Sequence, residues 1–345
     1  MTQKELDELA IFDYENIEDS FQNVDLFLGN GFSINLFDKL SYKSLFEQFL
    51  NGQEKDMKTL FKKFRTNNFE QIIQMLNNAN TVNELLDIDG KESIEEVTTI
   101  LRNGLIEAIK DNHPSNSNIN FPQLRRIADE LMAFGDIYTT NYDVYLYKAI
   151  IEILSDYKDQ GIEPPYVDYF YEEISRTQLG FNYKKIYDAP KSIFYLHGAL
   201  FLYFLEDKTN VYKLRKLDTA TVEYINLVKR EIENNNFPVF VAEGNDKDKL
   251  RTINNNKYLN FCYSNLRSSK NNLVVYGFSF GLSDNHIVEA INDSDIESLA
   301  ISIYVGDRTY DELITETTRL RGLFSKKSVA IFNSKSLFKE LRPYE

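Results

Sequence analysis

The sequence predicts an α/β protein: a doubly wound, mostly parallel sheet interrupted by a large helical insertion. Two observations carry this. Short apolar runs that end in glycine or polar residues alternate with stretches whose apolar residues recur three and four apart. Between about residues 40 and 133 the helical spacing continues without any strand-like run.

Taken in order, VDLFLG (24–29) reads as a short buried strand closed by glycine, and NGFSINLF begins a helix-like stretch. The insertion follows as YKSLFEQFL, FEQIIQMLNNA, VNELLDI, IEEVTTILRNGLIEAI and FPQLRRIADELMAF. Between the last two lies a turn-rich loop that holds His113. GDIYTTNYD is a second strand ending in polar residues, followed by the helix VYLYKAIIEIL. Residues 158–190, tyrosine-rich and carrying Pro164 and Pro165, read as an irregular insertion.

SIFYLHG is a third strand, and FLYFLEDKTNVYKLRK has two apolar runs around a polar turn, a hairpin pattern. Residues 219–233 are helical in pattern, PVFVAEG is a strand, and KLRTINNNKYLNFCYSNL is a helix. The chain closes with the strand NNLVVYGFSF, the helix DNHIVEAI, the strand LAISIYVGD, the helix DELITETTRLRG and the strand SVAIFN. The expected division is therefore a sheet domain from 1–39 and 134–345, with a helical insertion at 40–133.

Composition narrows the function. The 345 residues have a formal net charge of -14, which repels a phosphate backbone, and the basic clusters are short and lie among acidic neighbours. No direct nucleic-acid binding is expected. No apolar run is long enough to span a bilayer, and the acidic, polar start lacks the pattern of a secretory signal, so the expectation is a cytoplasmic protein without membrane contact. The one cysteine, Cys262, excludes a four-cysteine zinc module, and His113, His197 and His286 have no paired-ligand spacing, so no metal is expected.

Ligands of open α/β sheets bind outside the carboxyl ends of the strands. Four such ends carry chemistry here. At Gly29-Asn30-Gly31-Phe32-Ser33 the glycines permit close backbone approach to a diphosphate, and Ser33 could cap the following helix; a plain strand-to-helix turn explains them as well. At Thr140-Asn141-Tyr142-Asp143 the amide can orient a hydroxyl or water, and the carboxylate can stabilise positive charge or serve only as a helix cap. His197-Gly198 offers an imidazole that can act as a base near neutral pH or simply pack with its nitrogens hydrogen-bonded, and Gly277-Phe278-Ser279 forms a further turn. Asp307, just past a strand, is placed for a ribose or adenine contact. In GLSDNHI, Ser283 or Asp284 reads as a helix cap and His286 as a bystander.

In this order the four turns resemble the sirtuin-like NAD-binding family, with its Rossmann-like sheet. The resemblance implies that Gly29, Asn30, Gly31 and Ser33 hold the diphosphate and that Thr140, Asn141 and Asp143 match the motif with the catalytic asparagine. It further implies that His197 with Gly198 supplies the base and that Gly277 and Ser279 bind the adenosine side. The zinc module of deacetylating sirtuins is missing, since that stretch holds a hairpin and only Cys262. Asn30 and Thr140 also depart from the usual motifs. These departures, and YGFSFGLSDNHI, look more like the bacterial anti-phage defence branch, which hydrolyses NAD. PVFVAEGNDKDKLRTINNNKYL resembles a sirtuin-related bacterial family of no settled function, which could bring Glu243, Gly244 and Lys249 into the pocket; a core strand followed by a surface helix explains them as well.

The expectation is a zinc-independent NAD hydrolase that uses Asn141, His197 and Asp143 and takes NAD as substrate. The alternatives are ADP-ribosyl transfer, deacylation, or a non-catalytic module that senses NAD or ADP-ribose. Unrestrained NAD cleavage would deplete the host, so gating by self-assembly or an activating protein is expected, with the helical insertion as its place.

Overall fold

The computed structural model describes residues 2–36, 49–50, 55–65, 69–112, 121–183, 191–205, 210–215, 224–234, 236–241 and 246–339. Helix α1 (Gln3–Glu8) and strand β1 (Ile11–Phe12) precede β2 (Asp25–Leu28), which passes into α2 (Asn30–Leu36). Then come α3 (Lys55–Phe64), α4 (Phe69–Leu85), α5 (Lys91–Asn112) and α6 (Phe121–Leu131), all before β3 (Ile137–Thr139) and α7 (Tyr145–Asp159). Next are β4 (Tyr166–Val167), β5 (Phe170–Ser175), β6 (Gln178–Phe181), β7 (Lys191–Tyr195), β8 (Gly198–Phe204) and β9 (Val211–Leu214). The chain continues through α8 (Tyr224–Glu233), β10 (Pro238–Phe240), α9 (Asp246–Asn255) and α10 (Lys257–Arg267). It ends with β11 (Leu273–Tyr276), α11 (Asn285–Asp293), β12 (Ser298–Ile303), α12 (Tyr310–Leu323) and β13 (Ser328–Asn333).

Eight strands form one sheet in the order β1-β13-β12-β11-β2-β3-β7-β4, every neighbouring pair parallel. Counting β2 as the first of the six central strands, their order is that of doubly wound dinucleotide-binding sheets, with the switch point between β2 and β11. The predicted α/β class is therefore the observed one. All side chains of β2 and β11 are buried, as expected for parallel strands covered on both faces.

The region read as irregular, 158–190, is a correction: it holds β4, β5 and β6. Most of β5 is solvent-facing or half-buried, which left little apolar signal in its sequence. Strands β5, β6, β8, β9 and β10 form a second sheet, antiparallel throughout, in the order β10-β8-β9-β6-β5. The predicted hairpin is β8 with β9, paired through Leu202 and Lys213. PVFVAEG, read as one of the alternating parallel strands, instead supplies β10 at the edge of this second sheet. The helix expected at KLRTINNNKYLNFCYSNL is two helices, because Asn256 breaks it and its side chain caps α10 by accepting from the Leu259 amide. Cys262 is buried in α10, and burial pushes its thiol far above the usual range.

Candidate functional site

The four strand ends singled out in the sequence belong to β11, β2, β3 and β7, which are consecutive in the sheet. Their registers align the ends: Tyr276 pairs with Leu28, Leu28 with Thr139, and Thr139 with Tyr195. Asn141 and His197 each lie two residues beyond the paired Thr139 and Tyr195.

At the switch point two turns interlock, backbone against backbone. A Cβ on Gly29 would stand 2.5 Å from the Gly277 carbonyl oxygen, and one on Gly31 would stand 2.7 Å from Gly277 Cα. Gly277 has φ +69°, and a Cβ there would meet the Phe32 nitrogen at 2.6 Å. The glycines are thus required by close packing of β2 against β11. Three amides of the first turn are engaged by backbone carbonyls: Gly29 donates to Tyr276, Gly31 to Gly277 and Phe32 to Gly29. The amides that the resemblance assigns to a diphosphate therefore face protein at these positions.

Ser33 does not cap the helix; it lies inside α2, fully buried, and links two strand ends. Its Oγ donates to Asp143 Oδ2 and accepts from Asn141 Nδ2 at 3.0 Å. Asp143 Oδ1 accepts from the Tyr145 amide at 2.9 Å, the geometry of an Asx turn opening α7. Both carboxylate oxygens are therefore engaged, which gives Asp143 the helix-cap role together with the orientation of Ser33. Burial is the largest influence on its carboxyl and raises its pKa, while the bonds from Ser33 and Tyr145 oppose that.

With Asp143 ionised, this network sets the orientation of Asn141. A hydroxyl has one proton, and Ser33 gives it to the Asp143 carboxylate, so the Asn141 atom facing Ser33 is the amide nitrogen. The other atom, Oδ1, is left without a hydrogen-bond partner among the described residues, although Asn141 is only 2% exposed. A stranded buried acceptor costs about 1–3 kcal/mol. The Asn141 main chain is fixed separately, its amide donating to Thr139 Oγ1 at 3.0 Å.

His197 stands at the junction of the two sheets, between β7 and β8, where Gly198 at φ +76° turns the chain. Its carbonyl accepts from the Val241 amide at the end of β10, and the Leu200 amide bonds the Tyr142 carbonyl. Its Nε2 lies 2.9 Å from Nε2 of His286. His286 Nδ1 in turn lies 2.8 Å from Asp246 Oδ1, which also accepts the His286 amide. Beside them Lys249 Nζ pairs with Asp284 Oδ1 at 2.6 Å.

Burial is the first cause holding the His197 pKa well below its ordinary value, followed by the neighbouring His286 and Lys249 charges. His286 is lowered too, by burial, with its bond to Asp246 opposing. The reading of His286 as a bystander is corrected, and so is that of Asp284 as a cap, since its carboxylate makes no bond to the α11 backbone. Donor atoms of His197, His286 and Asp284 lie within 4.8 Å of one another. To converge on a cation, the histidines would have to give up their shared hydrogen bond, and Asp284 its lysine.

Among the remaining sequence-named residues, Thr140 is buried and its amide donates to the Leu28 carbonyl. Ser279 is exposed, its carbonyl held by Arg319 Nη2 at 2.7 Å, and Asp307 is exposed past the end of β12. His113, Glu243 and Gly244 lie outside the described residues. Sequence reasoning missed Asp246 and His286, which are separated by 40 positions and meet only through the packing of α9 against α11. Lys249, one turn beyond Asp246 on the same helix, was the available signal.

No match was found among curated proteins. A family match covers residues 26–337, from the second residue of β2 to just past β13, and so takes in every strand end described above. The chain belongs to the family described as Domain of unknown function (DUF4917).

Proposed function

We propose that the chain is an NAD glycohydrolase that cleaves NAD to nicotinamide and ADP-ribose, using the ends of β3 and β7. The observation that carries this reading is the stranded Oδ1 of Asn141. It is a buried acceptor held rigidly by Ser33 and Asp143, in line with the base-bearing end of the adjacent strand. A donor from a ligand would satisfy it, and the ribose hydroxyls of NAD are such donors.

The bond between nicotinamide nitrogen and ribose C1′ breaks, nicotinamide leaves with the electron pair, and the ribose develops oxocarbenium character. Asn141 Oδ1 accepts from a ribose hydroxyl or from the attacking water and fixes its position. Water forms the new bond to C1′ and its proton passes to His197, which burial keeps neutral in the resting state. Asp143 acts through Ser33 to hold Asn141. The antiviral setting, and a gate in the 40–133 helices worked by an activating protein or self-assembly, rest on the resemblance alone.

The test is to incubate the purified chain with NAD and quantify nicotinamide and ADP-ribose by chromatography. Equimolar release is expected from the parent, with His197→Ala slowed at least ~100-fold, the usual scale of a general base. Release by His197→Ala at the parent rate, or a parent that does not bind NAD, would refute the reading.

A further inference from the structure

Asp246, His286 and His197 form one directed chain of hydrogen bonds, and its direction follows from the donors available. A carboxylate only accepts, so His286 Nδ1, 2.8 Å from Asp246 Oδ1, carries a proton. With His286 neutral, its Nε2 is then the lone pair, and the proton in the 2.9 Å contact between the two rings belongs to His197 Nε2. His197 Nδ1 is left unprotonated, with no hydrogen bond to it among the described residues.

We propose that His286, oriented by Asp246, is a positioning residue that fixes His197 in its Nε2–H tautomer and so presents Nδ1 as the proton acceptor of the site. The inference deepens the NAD reading and rests on it for the identity of the proton donor. When the attacking water gives its proton to His197 Nδ1, His197 passes its Nε2 proton to His286 Nε2. The positive charge then lies on a ring whose other nitrogen faces the Asp246 carboxylate. The three residues together gain the one proton that the water loses, and they hold it until the product departs.

The groups around the relay fit this direction of transfer. Asp246 and Lys249 come from α9, Asp284 from the turn before α11, and Tyr263 from α10, whose hydroxyl donates to the His286 carbonyl at 3.0 Å. Lys249 is neutralised by Asp284, so the carboxylate of Asp246 remains free to balance an imidazolium. His286 is completely buried and its ring packs at 26° to that of His197, 5.2 Å between centroids. Neither ring can rotate away without breaking this packing.

The test reads the tautomer directly, by nitrogen-15 NMR of histidine-labelled protein without NAD, beside kinetics of His286→Leu and His286→Gln. Expected in the parent are a protonated Nε2 and unprotonated Nδ1 on His197, the reverse on His286, and a scalar coupling between the two Nε2 atoms. His286→Leu removes the acceptor and should shift His197 toward its Nδ1–H form, lowering kcat at least ~10-fold with little change in KM. His286→Gln can accept through Oε1 and should keep the parent tautomer and recover most of kcat. An Nδ1–H tautomer of His197 in the parent, or a His286→Leu protein that folds and keeps both tautomer and kcat, would overturn the relay. The expected tautomer in a parent that does not bind NAD would support the relay and refute the NAD reading.

Discussion

Ser33 makes the site dependent on one hydroxyl, because that group both satisfies Asp143 and turns Asn141 so that its carbonyl oxygen faces away. Ser33→Ala leaves a buried carboxylate oxygen and a buried amide each short of a partner. A loss of about 1–3 kcal/mol is expected for each stranded group, read from urea unfolding. Gly277 is constrained in another way: a side chain there would be strained at φ +69° and would strike the Phe32 nitrogen at 2.6 Å. Gly277→Ala should lower stability by at least the ~1–3 kcal/mol of a strained backbone position, measured as a fall in Tm. An unchanged Tm would show that the two turns do not interlock as described. At this scale Asn141 and His197 were legible because each closes an apolar run. His286 was not, because it sits in a helix start that reads as ordinary, and what selects it is an aspartate 40 positions earlier.

At the scale of elements, α9 and α10 show how a single side chain divides what periodicity joins. The apolar spacing of KLRTINNNKYLNFCYSNL continues across the break, but Asn256 has an extended backbone and its side-chain Oδ1 accepts from the Leu259 amide at 3.0 Å. Asn256→Ala should cost about 1 kcal/mol of unfolding free energy, the usual loss of an N-cap, and a denaturation midpoint equal to the parent's would contradict the cap. On α9, ahead of the break, Asp246 bonds His286 and Lys249 bonds Asp284. The parallel strands were readable because burial on both faces makes them apolar throughout. Strand β5 was not, because only Phe170 in it is buried, and β10 gave no sign in its sequence of which sheet it would join.

Across the whole molecule the sheet separates two ends of opposite character. At the amino ends of the strands Asp25 and Asp136 lie close together, away from the candidate site. Burial, helped by the Asp25 charge and opposed by the Ser192 amide, pushes the Asp136 carboxyl up to about 6. A carboxyl raised in the folded state keeps its proton longer there than in the unfolded chain. Its contribution to stability is therefore present at low pH and declines as pH rises from about 4, near the unfolded carboxylate value, to about 6. Asp136→Asn, which can still accept from Ser192, should flatten that decline when unfolding free energy is measured across the interval. A decline identical to the parent's would show that Asp136 is not its source.

At the carboxyl ends lies the candidate site, where Asn141 and His197 each stand two residues past the paired Thr139 and Tyr195 of neighbouring strands. The most direct measurement is a crystal structure of His197→Ala, which should bind NAD without turning it over, grown with NAD. The expected result is NAD with its nicotinamide ribose at the ends of β3 and β7, a ribose hydroxyl donating to Asn141 Oδ1. NAD bound elsewhere, or an Asn141 Oδ1 still without a partner in the complex, would contradict the account.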